Sequence, residues 1–248
     1  MVTSTEATSS ADRARFVPER WLAGSARSHR AAEAAVRSLS EEDVRRPSLL
    51  PGWSRAHVIT HIARNADGIR HMAEAARDGR ADPMYPGGAE QRDAGIEAGV
   101  NRSRGELLAD LDTAHRKLES VWEAIPDDRW ADAIGYRLAG PATLSDFVFV
   151  RWREVTVHTI DIGLSGSDVL TQWRALDPDY LEEEWRWTTA GLSKRVPKEH
   201  TLVLAPGDRP SRAYGKGPNV IVVREQVPDV LAWLTGRADG IIDLEDWR

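Results

Sequence analysis

The sequence predicts an α+β fold, an N-terminal four-helix bundle followed by a small C-terminal α+β domain. Two observations carry this. Residues 19–162 fall into four stretches of helical apolar periodicity separated by loops rich in Pro and Gly, and helices of that length with moderate connections pack as a bundle. Beyond about Val169 the pattern changes to short β-branched runs punctuated by Gly and Pro, the signature of strands and turns. Residues 1–17 are a polar lead expected to be disordered, 18–168 form the bundle and 169–248 the C-terminal domain.

The first helix is expected over Glu19–Leu39, where Ala and Arg dominate and apolar residues recur at helical spacing. Pro47, Pro51 and Gly52 interrupt it, and Ser54 is placed to cap a second helix whose stripe is Val58, Ile59, Ile62, Ala66 and Ile69. After the break at Asp82–Gly88, a third long helix is expected from Arg92 to Ala124, with Leu107, Leu108, Leu111, Leu118, Val121 and Trp122 inward. A loop through Pro126, Gly140 and Pro141 leads to Thr143-Leu144-Ser145-Asp146, which resembles a capping box with Asp in place of Glu. The fourth helix then runs to about Ile162 and stops near Gly163. Downstream, a helix is expected over Asp177–Lys194. Strands follow at Thr201–Leu204, weakly at Ala213-Tyr214, and at Asn219–Val223, before a short amphipathic helix from Val227 that ends at Gly236.

Composition narrows the function. At 248 residues the chain can bury a substantial core, and its net charge of −6 without a basic block argues against nucleic acid as partner. No apolar run approaches the roughly 20 residues that cross a bilayer, and the first residues lack the parts of a signal peptide, so no membrane partner and a cytoplasmic location are expected. There is no cysteine, which excludes disulfides, thiolate metal sites and a cysteine nucleophile.

The candidate chemistry lies in Arg151-Trp152-Arg153-Glu154-Val155-Thr156-Val157-His158. Glu154 and His158 are four apart on a helix, so a carboxylate and an imidazole project from one face. Such a pair alone most often means a solvated polar contact worth a few tenths of a kcal/mol. Here the flanking residues Val148, Val150, Val155, Val157 and Ile160 are apolar and Phe147, Arg151, Glu154 and His158 share a stripe. The pair is therefore expected to face the bundle interior, where an unpaired carboxylate is costly and a metal offsets that cost. His57 and His61 compete for a third ligand position; His57 falls in the first turn after Ser54, whereas His61 lies one turn deeper and is preferred. Histidines 29, 71, 115 and 200 have no partner spacing and read as surface or packing residues.

Leu49-Leu50-Pro51-Gly52-Trp53-Ser54-Arg55-Ala56-His57-Val58-Ile59-Thr60-His61-Ile62-Ala63-Arg64-Asn65-Ala66 resembles the signature of the mycothiol-dependent maleylpyruvate isomerases, members of the DinB-like metalloenzyme superfamily. The stretch from Arg151 to Gly163 is similar to the family's second metal motif, Pro83-Met84-Tyr85 to its loop between helices two and three, and Leu231-Ala232-Trp233-Leu234-Thr235-Gly236-Arg237 to its C-terminal helix. The resemblance implies a DinB-like bundle, metal ligands at His61, Glu154 and His158, and a catalytically important Arg237. It implies Zn²⁺, with other divalent metals admissible, and mycothiol as the low-molecular-weight thiol partner acting on a small-molecule substrate. The implied reaction is isomerisation of maleylpyruvate to fumarylpyruvate by thiolate addition, bond rotation and elimination. A mycothiol S-transferase acting on another electrophile, or a non-catalytic DinB-like regulator or scaffold, are the other readings.

Overall fold

The structure, a computed structural model, describes residues 17–137, 140–164 and 168–244; the polar lead, apart from Val17, lies outside them. The chain divides into two compact units, Met1–Leu164 and Ser165–Arg248, and its class is α+β: a helical bundle, then a smaller unit of helices around a sheet of three strands.

In the first unit the described helices are α1 (Glu19–Ser38), α2 (Arg55–Arg77), α3 (Gly88–Glu97), α4 (Arg104–Glu123) and α5 (Leu144–Asp161). α1 and α2 each pack against both α4 and α5, so α1 lies diagonally from α2 and α4 from α5. The core runs between them through Val58, Ile59, Ile62, Ala66 and Ile69 of α2, Leu107, Leu111 and Leu118 of α4, and Phe147, Val148 and Val155 of α5. Each such large side chain, moved from water, contributes about 1.5–3 kcal/mol.

Helix starts follow local chemistry. Ser54 caps α2, and Thr143 caps α5 by accepting the Asp146 N–H at 3.1 Å while Asp146 Oδ2 accepts the Thr143 N–H at 2.8 Å. The long third helix expected from Arg92 to Ala124 is instead two, α3 and α4. Ser103 restarts the chain: its backbone N–H donates to Glu106 Oε2 at 2.8 Å and its hydroxyl accepts the Glu106 N–H at 3.3 Å. The break is held open by Arg45, whose guanidinium donates to the carbonyls of Asn101 at 3.0 Å and Arg102 at 2.7 Å. A second departure lies before α5. The segment read as loop pairs as an antiparallel hairpin, β1 (Ala133–Arg137) with β2 (Gly140–Thr143). Pro141 is tolerated because a two-stranded ribbon has only edge strands.

The second unit contains α6 (Val169–Arg174), α7 (Pro178–Ala190), β3 (His200–Leu204), β4 (Arg212–Gly215), β5 (Asn219–Val223) and α8 (Val227–Leu234). The sheet order is β4-β3-β5, with β3 antiparallel to β4 and parallel to β5. Leu202, Leu204, Tyr214 and Val223 of the sheet pack with Val230, Trp233 and Leu234 of α8. The helix expected over Asp177–Lys194 ends at Ala190 and is followed by a 3₁₀ turn, Leu192–Lys194. No described helix is long and apolar enough to cross a membrane.

Candidate metal centre

α2 and α5 pack side by side in the bundle, and their facing stripes bring His61 of the first against Glu154 and His158 of the second. Glu154 Oε2 lies 3.4 Å from His61 Nε2 and 3.4 Å from His158 Nε2. The two rings meet edge to face, with centroids 4.6 Å apart at 90°. His61 is buried, while Glu154 and His158 are half-buried and keep one side open.

The donor set fits a divalent cation. Ligands bonded to zinc at about 2.0–2.2 Å in a tetrahedron stand roughly 3.4 Å apart, the spacing of Glu154 from each ring, and ligand atoms of all three residues lie within 4.8 Å of one another. His158 is also set in the required tautomer. Its Nδ1–H donates to Asp161 Oδ2 at 2.8 Å, so Nε2 offers its lone pair to the centre. Asp161 is fully buried at the last turn of α5. The sequence reading missed it, although its position three residues after His158 places it on the same helix face.

Electrostatics of the group follow from burial and pairing. Burial alone would lower the His158 pKa, but the Asp161 and Glu154 carboxylates outweigh it and hold it above the ordinary histidine value. For His61 burial wins over the Glu154 hydrogen bond, and the pKa falls. Burial would raise Glu154; its hydrogen bonds with His158 and His61 outweigh that and hold its pKa well below the usual carboxylate range.

His57 has different work. Its Nδ1 accepts the Ser54 backbone N–H at 3.1 Å, closing a capping box at the start of α2, and its Nε2 lies 3.4 Å from exposed Glu97. Of His29 and His115, expected to be surface or packing residues, both are fully buried, and they stack with centroids 3.9 Å apart at 10°. His29 donates from Nδ1 to Glu119 at 2.6 Å and accepts from Arg151 Nε at 3.1 Å; His115 donates from Nδ1 to Glu33 at 2.9 Å. Arg151, wholly buried, continues the string: its Nη1 donates to the Ile62 carbonyl at 2.9 Å and to Asn65 Oδ1 at 2.7 Å, and Asn65 Nδ2 reaches Glu154 at 3.4 Å. Burial lowers the Arg151 pKa to about 9, with Glu154 the largest offset, so the guanidinium stays charged at neutral pH.

Arg237 belongs to the second unit. Gly236 takes φ +76° after α8, and the Arg237 N–H donates to the Ala232 carbonyl at 2.7 Å while the Gly236 N–H donates to that of Trp233 at 2.8 Å. This Schellman arrangement needs the left-handed residue that glycine supplies. Arg237 is half-buried and its Nη1 donates to the Thr235 carbonyl at 2.5 Å.

Helical bundles build metal and cofactor sites from side chains on facing helices, and the first unit has that form. Residues 25–163, more than half of the chain, match the sequence profile of the mycothiol maleylpyruvate isomerase N-terminal domain, and the chain belongs to that family. The fold is similar to the crystal structure of the mycothiol-dependent maleylpyruvate isomerase, at TM-score 0.79 and 21% identity over 96% of this chain and 95% of that one. A histidine-to-alanine mutant of that isomerase gives the same TM-score and identity over 94% and 93%. A comparison with curated protein sequences finds no match.

Proposed function

We propose that the chain is a mycothiol-dependent isomerase converting maleylpyruvate to fumarylpyruvate, with a divalent cation, zinc by the chemistry of the donors, held by His61, Glu154 and His158. The observation that supports this best is the convergence of those three side chains within the region that matches the family. When bound, such a cation supplies Lewis acidity at a position the protein leaves open, where a thiol would lose its proton near neutral pH.

The chain's own residues do the rest. Asp161 fixes the His158 ring, His61 stays neutral through burial, and Glu154 contributes the charge that balances a cation. With no cysteine in the sequence, the thiol is a separate molecule, mycothiol. Its thiolate adds to the cis double bond of maleylpyruvate, forming a C–S bond and an enolate. The former double bond rotates as a single bond, and elimination breaks the C–S bond and restores the alkene as trans. No thiol is consumed. Arg237, on the family resemblance, pairs with a substrate carboxylate through its planar guanidinium.

The test follows maleylpyruvate absorbance with and without mycothiol, together with free thiol. Substrate loss that needs mycothiol and returns all of it is the expected result. Stoichiometric thiol consumption would convert the reading to an S-transferase, and no turnover by protein carrying a full complement of metal would overturn the maleylpyruvate isomerase reading.

A further inference from the structure

Two donors beside the candidate metal centre are buried and unmatched. Arg151 spends Nε and Nη1 on His29, Ile62 and Asn65, but its Nη2 is buried with no hydrogen-bond partner. The hydroxyl of Tyr85 is likewise buried and unpartnered. Leaving such groups desolvated costs about 1–3 kcal/mol each, more for a charged one, so both point to a ligand.

The backbone sets the loop that carries Tyr85 against the helix face that carries His61 and Asn65. His61, Asn65 and Gly68 follow one another at helical spacing along one face of α2. The loop after α2 presses on that face at Gly68, where an added Cβ would stand 2.8 Å from Met84 Cγ and 3.1 Å from the Met84 carbonyl oxygen. Only glycine lets Met84, and Tyr85 with it, approach so closely. Asn65, one turn before, bridges Arg151 to Glu154. From the other side Arg92 brings Nη2 to 3.5 Å from His61 Nδ1, its guanidinium 6.0 Å over the Trp53 ring. The charges of Arg92, Glu154 and Arg151 all act on the Tyr85 phenol, whose pKa burial pushes up to about 12, so it remains a proton donor at neutral pH.

We infer that the Tyr85 hydroxyl and Arg151 Nη2, with Arg92 at the rim, form an oxyanion subsite that takes a carboxylate of the substrate beside the metal centre. This rests on the proposed reading in one respect, that substrate reacts at His61, Glu154 and His158. It adds a restriction to it: the electrophile is an acid carrying a carboxylate close to the reacting carbon, and a neutral electrophile of the same shape is a poor ligand.

The test uses zinc-loaded full-length protein without thiol, with maleate as probe and its neutral diamide as control, read by titration calorimetry. Wild type is expected to bind maleate and not the diamide. Tyr85→Phe, which removes only the hydroxyl, should weaken maleate about tenfold or more, the loss of one hydrogen bond to a charged group, with zinc content unchanged. Arg151→Lys, which keeps the charge and loses the fork, should weaken it as well. Maleate affinity unaltered by Tyr85→Phe, or equal binding of the diamide, overturns the subsite. Turnover separates this from the proposed function. Maleylpyruvate isomerisation with an unaltered KM in Tyr85→Phe removes the subsite and leaves the reaction. Tyr85-dependent maleate binding without any isomerisation by wild type removes the reaction and leaves the subsite.

Discussion

Asp161→Asn tests, at a single buried atom, how the partner of His158 sets metal affinity. Asp161 Oδ2 accepts the His158 Nδ1–H at 2.8 Å, and the side chain is buried at the C-terminal end of α5. A carboxylate there opposes the helix dipole, but it pairs with His158, which it orients and polarises. Asparagine keeps an acceptor oxygen and removes the charge. Hydrogen bonds to charged groups contribute about 1.5–3 kcal/mol and neutral ones about 0.5–1.5. The difference, about 1.4 kcal/mol, is a tenfold weakening of zinc binding, within the 10- to 100-fold span of such outer partners. Asp161→Ala, which also frees the ring to turn, should approach the upper end. Competition with a chromogenic chelator measures the affinity, and thermal unfolding of metal-free protein measures the fold. The expected pattern is weaker zinc in Asp161→Asn, with metal-free protein that still folds and unfolds at a somewhat lower temperature because the His158 Nδ1–H has lost its charged acceptor. Zinc affinity within twofold of wild type in both variants would refute the role assigned to Asp161.

His61→Ala should abolish stoichiometric zinc, whereas His57→Ala should keep zinc and lose about 1 kcal/mol of stability with its half of the capping box; metal analysis and urea titration of the pair check this. Arg237→Ala should eliminate turnover with zinc content unchanged, and retained activity would remove Arg237 from the mechanism. The stacked histidines should make the fold acid-sensitive. Burial lowers the His115 pKa to about 4 against the opposing effect of Glu33, and burial, then Arg151, lowers that of His29; Asp112 and Arg30 also face the pair. Unfolded histidine titrates near 6.5, so between about pH 6.5 and 4 only the unfolded chain takes up the proton. Stability is therefore unaffected above that window and falls as pH drops through it, by about 2 kcal/mol for His115 at pH 5. Urea midpoints at pH 7 and 5 should show this slope in wild type and a shallower one in His115→Gln.

What was legible in the chain is what short-range physics encodes. Apolar spacing and the caps at Ser54 and Thr143 located α2 and α5, and with them the ligand face, because helix periodicity is set within a few residues. The division of the third helix was also written locally, as Ser103-Arg104-Gly105-Glu106, a capping box that good helical composition on both sides masked. The hairpin before α5 was hidden because Gly135, Gly140 and Pro141 carry turn chemistry, while the pairing that makes strands of them is a contact between segments. Asp161 and Asn65 were recoverable from helix spacing to His158 and His61. The approach of His29 to His115, and of Arg151 to His29 and Asn65, was not, since each joins residues far apart in sequence whose meeting depends on packing.

That packing has a consequence for the centre itself. Glu119 on α4, His29 on α1, Arg151 on α5 and Asn65 on α2 form one hydrogen-bonded string ending at Glu154. Close packing already resists sliding of the helices, and a buried string adds to this because it loses desolvated hydrogen bonds if any of its helices shifts. The four long helices α1, α2, α4 and α5 are thus tied in register to the carboxylate between the two imidazoles. The buried Arg151 cation is costly to desolvate, and replacing such a group with an apolar one often stabilises a fold. Its retention is explained by what it holds: Nη1 fixes Asn65 against Glu154, while Nη2 stays buried without a partner, positioned for an anionic ligand.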